Sequence, residues 1–384
     1  MDVINEFKNS YHGFLLKEYK YRLRCEKSYD RMAISMERYR NCKTKKPLWK
    51  IKSEINLCKK YWKCYPLHYF RYDLYERDKQ LTEEQLISYI PEFFFYVLFL
   101  PYHDPNKYAV LIDEKNITEQ IFRSLDINQP KTLCKIVKNN IYDMNMKKQT
   151  IDNFREALEV NKYNKLFMKP VDGSGGNGIY VFHRKADEVY KTNHEIELTE
   201  EFLKDIGNRG DYIIQMAVNQ DKRIAEIYPK SVNTFRIATE NKNGKAKILC
   251  ATLRVGKNGN EVDNGNQNGL VLGIDIHTGR IHEFAVTRKG EKFYSHPDTG
   301  FVFKKYEIPE WNTVKDFATE SARKLAQFTY LGWDIALSTD GPIAIETNTG
   351  FGLDHFQASL GGLREVFSID NPDYYWRNRG ASIK

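Results

Sequence analysis

The feature that most constrains the fold is a succession of short β-branched and aromatic runs that begins at Lys165. Turn-forming Gly, Asn and Asp residues separate the runs, and two helical windows, at 151–160 and 314–330, interrupt them. The runs lie at 166–168, 179–182, 212–216, 234–239, 247–255 and 269–275. This pattern predicts an α+β body with largely antiparallel sheets.

Positive charge is concentrated at the start of the chain. The net charge is +8, and residues 1–64 alone hold 17 Lys and Arg against 7 Asp and Glu. Such a basic arm suggests an anionic partner, either nucleic acid, anionic lipid or a phosphorylated substrate, although a solvated helical face has the same composition. The arm is predicted to be mostly helical. Thr82, followed by two glutamates, is an N-cap signal for a helix that ends before Pro91.

Three observations bear on the compartment. The longest apolar run, 93–100, is shorter than the roughly 20 residues of a membrane-spanning helix and is predicted to be buried core. Met1 is followed by acidic and polar residues, without the pattern of a secretory signal. The six cysteines include no CxxC pair, which favours a reduced, cytoplasmic setting over structural zinc. A further short apolar run, 108–112, is predicted to be a strand.

A glycine-dense loop lies between the predicted strands 166–168 and 179–182 and follows Lys169. Glycine allows backbone N–H groups to approach an anion closely, and the lysine adds a charge suited to phosphate. The loop leads into a strand and contains no GK[ST], so neither a dinucleotide fingerprint nor a P-loop fits. It is either a hairpin over nucleotide phosphates or a plain glycine-rich hairpin. Its residues of interest are Gly173, Ser174, Gly175, Gly176 and Gly178.

A second group of residues surrounds the turn signal Asp340-Gly341, which predicts a hairpin. Glu346 and Asn348 are two positions apart and share one face of a strand. If the turn pairs position 338 with 342, Asp334 lies opposite Glu346 on that face. Two carboxylates and an amide oxygen so placed suit Mg²⁺ with nucleotide phosphates. The alternative is an edge hairpin with solvated acids.

Two arginines form a third group, since Arg236 and Arg254 lie on predicted strands with apolar flanks. A guanidinium fork suits a transferring phosphoryl group or a substrate carboxylate. The alternative is an ion pair within the sheet.

In this order, the three groups resemble those of ATP-grasp enzymes, over roughly residues 110–360. The resemblance is closest to the ATP-grasp proteins of sugar-transfer and polysaccharide-biosynthesis (capsule) loci. It implies two α+β subdomains that clasp ATP between antiparallel sheets, at 111–225 and 226–384, behind a basic, mainly helical region at 1–110. The matching stretches are Val232-Asn233-Thr234-Phe235-Arg236, Val262-Asp263-Asn264 followed by Gly269, Gly332-Trp333-Asp334-Ile335 and Glu346-Thr347-Asn348.

The resemblance also implies roles for single residues. Lys169 would meet the α-phosphate and the adenine edge, Lys115 would be a second phosphate-side lysine, and the glycine loop would cover the β- and γ-phosphates. Arg236 and Arg254 would face the γ-phosphate and an acyl phosphate. The adenine hinge would consist of Gln215, Met216, Ala217 and Val218, with Asp221 on the ribose. One or two Mg²⁺ ions would be held by Asp334, Glu346 and Asn348.

The activity so implied is ATP-dependent ligation of a small-molecule or glycan carboxylate to an amine through an acylphosphate. Asp354, His355 and Gln357 follow the metal strand and are the predicted acceptor contacts. One alternative is an ATP-grasp kinase that phosphorylates a sugar or polyol hydroxyl. The other is an anion- or nucleic-acid-binding module, in which tyrosines interleave the basic arm, although no known nucleic-acid motif is present.

The basic arm would then dock an anionic glycan, a nucleotide-linked sugar or a membrane surface, or be merely a solvated face. Neutralising Lys43, Lys45 and Lys46 is expected to change the apparent affinity for the acceptor but not for ATP.

Overall fold

The computed structural model describes residues 13, 16–20, 32–104, 108–172, 176–185, 189–261, 269–287 and 290–379. The helices in these ranges are α1 (Met32–Asn41), α2 (Leu48–Trp62), α3 (His68–Arg71), α4 (Glu83–Ile87), α5 (Glu92–Phe94), a π-helical turn (Phe95–Phe99), α6 (Leu100–His103), α7 (Val110–Asp113), α8 (Lys115–Ser124), α9 (Ile151–Asn161), α10 (Glu200–Gly207), α11 (Lys222–Ala225), α12 (Trp311–Lys324), α13 (Leu353–Leu360) and α14 (Pro372–Arg377).

The strands form two antiparallel sheets, which confirms the predicted α+β class and its antiparallel character. They are β1 (Thr132–Val137), β2 (Asn140–Tyr142), β3 (Lys148–Gln149), β4 (Lys165–Pro170), β5 (Tyr180–Arg184), β6 (Tyr190–Lys191), β7 (Tyr212–Met216), β8 (Thr234–Lys242), β9 (Lys245–Val255), β10 (Leu270–Ile274), β11 (Ala285–Thr287), β12 (Lys292–Phe293), β13 (Tyr330–Ser338) and β14 (Gly341–Asn348).

The first sheet has the order β3-β2-β1-β7-β4-β5-β6. Because side chains alternate along a strand, β4 divides its residues between two environments. Leu166 and Met168 are buried in a core shared with α9 and α10. Phe167 and Lys169 lie on the opposite face, which is turned toward the second sheet. The first sheet therefore has one apolar face and one face available to a ligand.

The second sheet has the order β12-β11-β10-β9-β8-β13-β14. One of its faces carries Phe235 and Trp333 and packs against Phe122 of α8 and Val314 of α12, in the largest core of the protein. The helix predicted at 314–330 is α12, but it ends at Lys324, and the last predicted residue already belongs to β13.

The helical N-terminal region and the C-terminal segment pack together on part of the other face of the second sheet. Phe95, Phe99 and Phe351 share a core with Tyr330 of β13. Gly332 permits this contact, because a Cβ there would lie 1.9 Å from the Cβ of Phe351. The run 93–100 is thus buried core, as predicted. The helical region therefore borders the sheet face on which the predicted site residues lie.

Two local predictions for the N-terminal half have different outcomes. Thr82 caps α4 in a capping box, in which its hydroxyl accepts from Gln85 N and its own N–H donates to the Gln85 side chain. This confirms the predicted helix start. The predicted strand at 108–112 is wrong, because α7 begins within it at Val110. In the described part of the chain, no helix is both long and apolar enough to cross a bilayer.

The structure also corrects the expectation for the lysines of the basic arm. Lys46 is 4% exposed, and its Nζ lies 3.0 Å from a carboxylate oxygen of Glu54. Tyr69 donates to the same carboxylate at 2.5 Å. Breaking such a buried pair costs roughly 3–5 kcal/mol. Neutralising Lys46 would therefore report on folding rather than on docking of a ligand.

Candidate active site

A cavity of about 170 Å³, here named the cleft cavity, lies between the facing sides of the two sheets. Its apolar lining comes from both sheets and the segments around them: Pro130, Phe167, Pro170, Ile179, Met216, Val218, Val232 and Ile345. Its charged lining consists of Lys115, Lys169, Arg236, Arg254, Glu261, Asp334 and Glu346. Apolar walls with a few convergent charged groups are typical of a small-molecule site.

Asp334 joins the two predicted arginines in one buried cluster. Arg236 Nε lies 2.7 Å from Asp334 Oδ1, and Arg254 Nη1 lies 2.9 Å from Oδ2. The sheet order explains this, because Asp334 on β13 pairs directly with Arg236 on β8, and Arg254 lies on β9, the next strand. Pairing compensates for the burial of these charges. The arginines therefore form an ion pair within the sheet and also line the cavity.

Glu346 lies directly opposite Asp334, as predicted, but the turn differs from the prediction. The hairpin pairs Ser338 with Gly341, one residue tighter than expected, so an unbroken ladder would set Ile345 against Asp334. A register shift after this pair, a β-bulge, brings Glu346 there instead. One extra residue in a strand reverses which side chains face each side of the sheet.

Beyond the bulge, Glu346 and Asn348 both line the cleft cavity. Burial raises the pKa of the Glu346 carboxyl, and although Lys115 opposes this, the charge of Asp334 adds to it and the net direction is upward. A divalent cation between two carboxylates relieves such repulsion, and oxygen donors of this kind suit Mg²⁺. No cluster of three or more His, Cys, Asp or Glu side chains occurs in the described ranges. The donor set therefore fits Mg²⁺ held jointly with phosphates.

Two lysines reach the cavity from the side of the first sheet. Lys169 Nζ donates to the side-chain oxygen of Gln215 at 3.1 Å. Gln215 is itself buried, so it orients Lys169 rather than lining the cavity as predicted. Lys115 is the first residue of α8, its N–H donates to the carbonyl of Val171, and Glu114 caps the helix. Glu114, between Asp113 and Lys115 in the sequence, therefore serves as a helix cap.

The predicted adenine hinge comprises the last two residues of β7 and the two residues after it. Met216 and Val218 line the cleft cavity, whereas Ala217 does not. The N–H of Met216 donates to Lys131 O at 2.9 Å, and that of Ala217 donates to Lys165 O at 3.1 Å. Both amides therefore donate to backbone carbonyls of the protein. Among the described residues, the Val218 N–H has no such acceptor and could donate to a ligand.

The glycine-dense loop is described only in part. Gly173, Ser174 and Gly175 lie outside the described residues. Gly176 lines the cleft cavity. Gly178 has φ +73°, a left-handed conformation that favours glycine.

The structure does not bring Asp221 to the cavity. Its carboxylate caps α11 by accepting from Arg223 N at 2.8 Å. The guanidinium of Arg223 binds the same carboxylate at 3.0 and 2.7 Å. The predicted ribose contact is thus not supported, because a short-range cap and ion pair occupy the side chain.

The three predicted acceptor contacts all lie beside a second cavity, of about 420 Å³, which we name the outer cavity. Asp354 forms an ion pair with Arg71 at 3.6 Å. Gln357 is 2% exposed and bonds both backbone groups of Ile90, at 2.7 and 3.0 Å. Gln357 therefore anchors the N-terminal region, and its predicted acceptor role is not supported. All three residues line the outer cavity.

Sequence reasoning missed Glu261, which joins the two sheets across the cleft. It follows β9 of the second sheet, and its carboxylate lies 2.8 Å from Lys165 Nζ and 2.8 Å from His183 Nε2 of the first sheet. Asn193 also donates to it at 2.6 Å. A single acid in a loop carries no local signal, because its partners come from distant parts of the chain.

Comparison with protein families identifies a match over most of the chain. The family described as sugar-transfer associated ATP-grasp matches residues 97–368. No curated protein matches the sequence.

Several solved structures resemble the chain at low sequence identity. D-alanyl-alanine synthetase A from Vibrio cholerae has 14% identity and a TM-score of 0.40, over 70% of this chain and 66% of that one. D-alanine–D-alanine ligase from Bacillus anthracis has 15% identity and a TM-score of 0.37, over 70% of each chain. VanG D-Ala:D-Ser ligase from Enterococcus faecalis has 11% identity and a TM-score of 0.40, over 68% and 61%.

Proposed function

This chain belongs to the sugar-transfer associated ATP-grasp family, and from that premise we propose that it is an ATP-dependent ligase that joins a carboxylate to an amine. The observation that carries the proposal is the cleft cavity, where cations from both sides converge on the pair Asp334 and Glu346. Residues 111–225 would form the lid and 226–384 the body of the enzyme. A cytoplasmic location would supply the ATP.

In this proposal the nucleotide occupies the cleft cavity. The adenine lies among the apolar side chains of Phe167, Met216 and Ile345, with the Val218 N–H as a hydrogen-bond donor. Lys115 and Lys169 contact the phosphates, and Gly176 allows backbone groups to approach them. The distribution of apolar and cationic lining residues supports this orientation.

Asp334, Glu346 and Asn348 would hold Mg²⁺. When bound, the ion would neutralise the β- and γ-phosphate oxygens and the two carboxylates. The position of Glu346 directly opposite Asp334 supports this assignment, because a cation between the two carboxylates would relieve their repulsion.

The first chemical step forms an acylphosphate. A carboxylate oxygen of the substrate attacks the γ-phosphorus while the bond from that phosphorus to the bridging oxygen breaks, so ADP leaves with the electron pair. Charge on the transferring group is greatest at its peripheral oxygens. Arg254 and Arg236 would stabilise that charge, and their pairing with Asp334 holds them in position before substrate binds.

The second step forms the amide. The amine nitrogen attacks the acyl carbon, the bond from that carbon to the phosphate oxygen breaks, and inorganic phosphate leaves. The amine loses its proton to solvent. The described residues need only bind, orient and shield the reactants, and no nucleophilic side chain takes part.

An ADP-release screen of sugar acids against amino acids and amines tests the proposal. Release that requires both an acid and an amine, and that is lost in Glu346→Gln, supports a ligase acting on a sugar acid. Release with a sugar or polyol alone, accompanied by a phosphorylated alcohol, would instead establish a kinase. Failure of every acid and amine pair to release ADP from a preparation that binds ATP would contradict the ligase.

A further inference from the structure

The outer cavity is formed jointly by the N-terminal region and the second sheet. Tyr72, Lys79 and Tyr89 line it from the N-terminal side, and Val286 and Lys292 line it from the sheet. Its volume of about 420 Å³ exceeds the 170 Å³ of the cleft cavity. A space of this size with aromatic side chains in its walls is suited to a ring-bearing ligand.

A row of paired residues connects the two cavities across the second sheet. Thr234 pairs with Arg254, Arg254 with Val271, Val271 with Val286, and Val286 with Lys292. Directly opposite residues share one face of an antiparallel sheet. The first two residues line the cleft cavity, and the last three line the outer cavity. The two cavities therefore meet where Arg254 lies beside Val271.

The length of this row limits the size of the ligand. Arg254 on β9 and Lys292 on β12 are three strands apart, which corresponds to about 14 Å at roughly 4.8 Å per strand. One amino-acid residue spans at most about 3.6 Å along its backbone. The Arg254 and Lys292 side chains span part of the roughly 14 Å between their backbones, and a sugar with an acidic group at each end is a suitable size for the remainder.

Two carboxylates line the outer cavity, Asp73 and Asp354, and Asp354 is paired with Arg71 at 3.6 Å. Asp73 is already bound by Arg38 at 3.0 Å and by the Tyr75 hydroxyl at 2.8 Å. Among the described residues, neither Lys79 nor Lys292 has a carboxylate within ion-pair distance. The Lys79 ammonium donates to the Tyr72 carbonyl, and Lys292 Nζ lies 4.7 Å from the ring centre of Phe284.

The two lysines line the same cavity, one from the N-terminal side and one from the sheet. Burial lowers the pKa of Lys79; Asp73 and Glu76 oppose this, and the positive charge of Lys292 adds to the lowering. An anion between two lysines that line one cavity, neither with a carboxylate within ion-pair distance among the described residues, would stabilise both charges.

We propose that the outer cavity binds the acceptor, a sugar-sized carboxylic acid with a second negative group, whose remote group lies between Lys79 and Lys292 while its reacting carboxylate meets Arg254. This inference rests on the proposed ligase function. The remote group is a carboxylate or a phosphate. The N-terminal region would thus select the acceptor, and the cleft cavity would activate it.

Calorimetric titration without ATP tests the site independently of turnover. The probes are glucuronic acid 1-phosphate, galactaric acid, glucuronic acid and glucose. We expect the two probes with two acidic groups to bind at least tenfold more tightly than glucuronic acid, and glucose not to bind. Preference between these two probes at about pH 5, where each carries close to two negative charges, then distinguishes a phosphate from a carboxylate as the remote group.

Lys79→Met and Lys292→Met should each weaken the binding of the two probes with two acidic groups about tenfold and leave ATP affinity unchanged. Lys304→Met is the matched control, because this exposed lysine pairs with Glu283 outside the cavity. Equal binding by wild type and both variants, or no binding of any acid by wild type, would overturn the acceptor site. If acid binding follows the lysines but no pair of acid and amine releases ADP, the ligase proposal fails and the site stands.

Discussion

The two sheets each have seven strands, yet they hold their charges differently. The second sheet has long central strands, and direct cross-strand pairing fixes Arg236, Arg254 and Asp334, which are 12%, 6% and 7% exposed. In the first sheet, Lys165 and Lys169 are half-buried and reach partners on other elements. One side of the cleft therefore holds its charges in a nearly buried cross-strand ion-pair cluster, whereas the cations of the other side are half-buried and each is held by a partner on another element.

The largest effect is expected from Asp334→Asn. This change removes a proposed metal ligand and leaves Arg236 and Arg254 without their carboxylate. ADP release should fall by roughly 10²–10³-fold, the magnitude seen when a preorganised electrostatic group is lost. Asp340→Asn, in the exposed turn of the same hairpin, is the control and should retain full activity. If Asp334→Asn lost less ADP-release activity than Lys169→Met, the charges of the second sheet would not be the more important ones, which would contradict this comparison of the sheets.

Core substitutions test whether the sheets also differ in stability. Trp333 is fully buried, stacks on Phe122 and donates to the Thr239 hydroxyl at 3.0 Å. Trp333→Ala should cost about 3–5 kcal/mol and lower the denaturant midpoint of the whole protein. Phe182→Ala in the first sheet should cost about 3–4 kcal/mol, with faster hydrogen exchange confined to residues 132–216. If Phe182→Ala accelerated hydrogen exchange equally in both sheets, the two sheets would unfold as one unit.

Lys169→Met should act on nucleotide binding. The change removes the ammonium group proposed to contact the phosphates. It is expected to raise the KM for ATP roughly tenfold, because a hydrogen bond to a charged group contributes about 1.5–3 kcal/mol. The KM for the acceptor should stay unchanged. Lys131→Met, an exposed lysine outside the cleft cavity, is the control. An unaltered KM for ATP would contradict the placement of the phosphates.

The smallest effect concerns Glu261, the link between the sheets. Burial opposes its ionisation, but the hydrogen bonds from Lys165 and His183 outweigh burial and lower the pKa of the carboxyl. The stabilisation is therefore fully present above the usual glutamate pKa and is lost as the pH falls through the lowered value. Hydrogen exchange in β4 and β5 should accelerate below about pH 4.5. Glu261→Gln should remove this pH dependence and change the KM for ATP only two- to fivefold.

The hairpin β13–β14 shows how far sequence reasoning reaches. The turn signal and the period of two correctly predict a hairpin with Asp334 opposite Glu346. They do not predict the tighter turn or the bulge that compensates for it. Each deviation alone would move Glu346 to the other face, and the outcome matches the prediction because they cancel. Local propensity does not reveal such bulges, since packing on both faces of the strand decides them.

Charged residues show where the sequence alone fails. The composition marks Lys46 as part of a solvated or docking arm, and the order of motifs marks Asp221 as a ribose contact. In the structure, Lys46 forms an ion pair with Glu54, and Asp221 forms one with Arg223. The partner of a charge depends on which side chains the chain brings within a few ångströms, and that information is not local.

The sequence by itself determined the strands, the main helices, the glycine-dense loop and the family, because side-chain period, turn residues and motif order are local properties. Only the tertiary structure decided that Arg236 and Arg254 share Asp334, that Glu261 spans the cleft, and that the N-terminal helices cover the same sheet face. These contacts follow from the order of strands in the second sheet and from a close approach that Gly332 permits. Charge and shape at a site depend on such long-range neighbours, so they are settled when the elements pack.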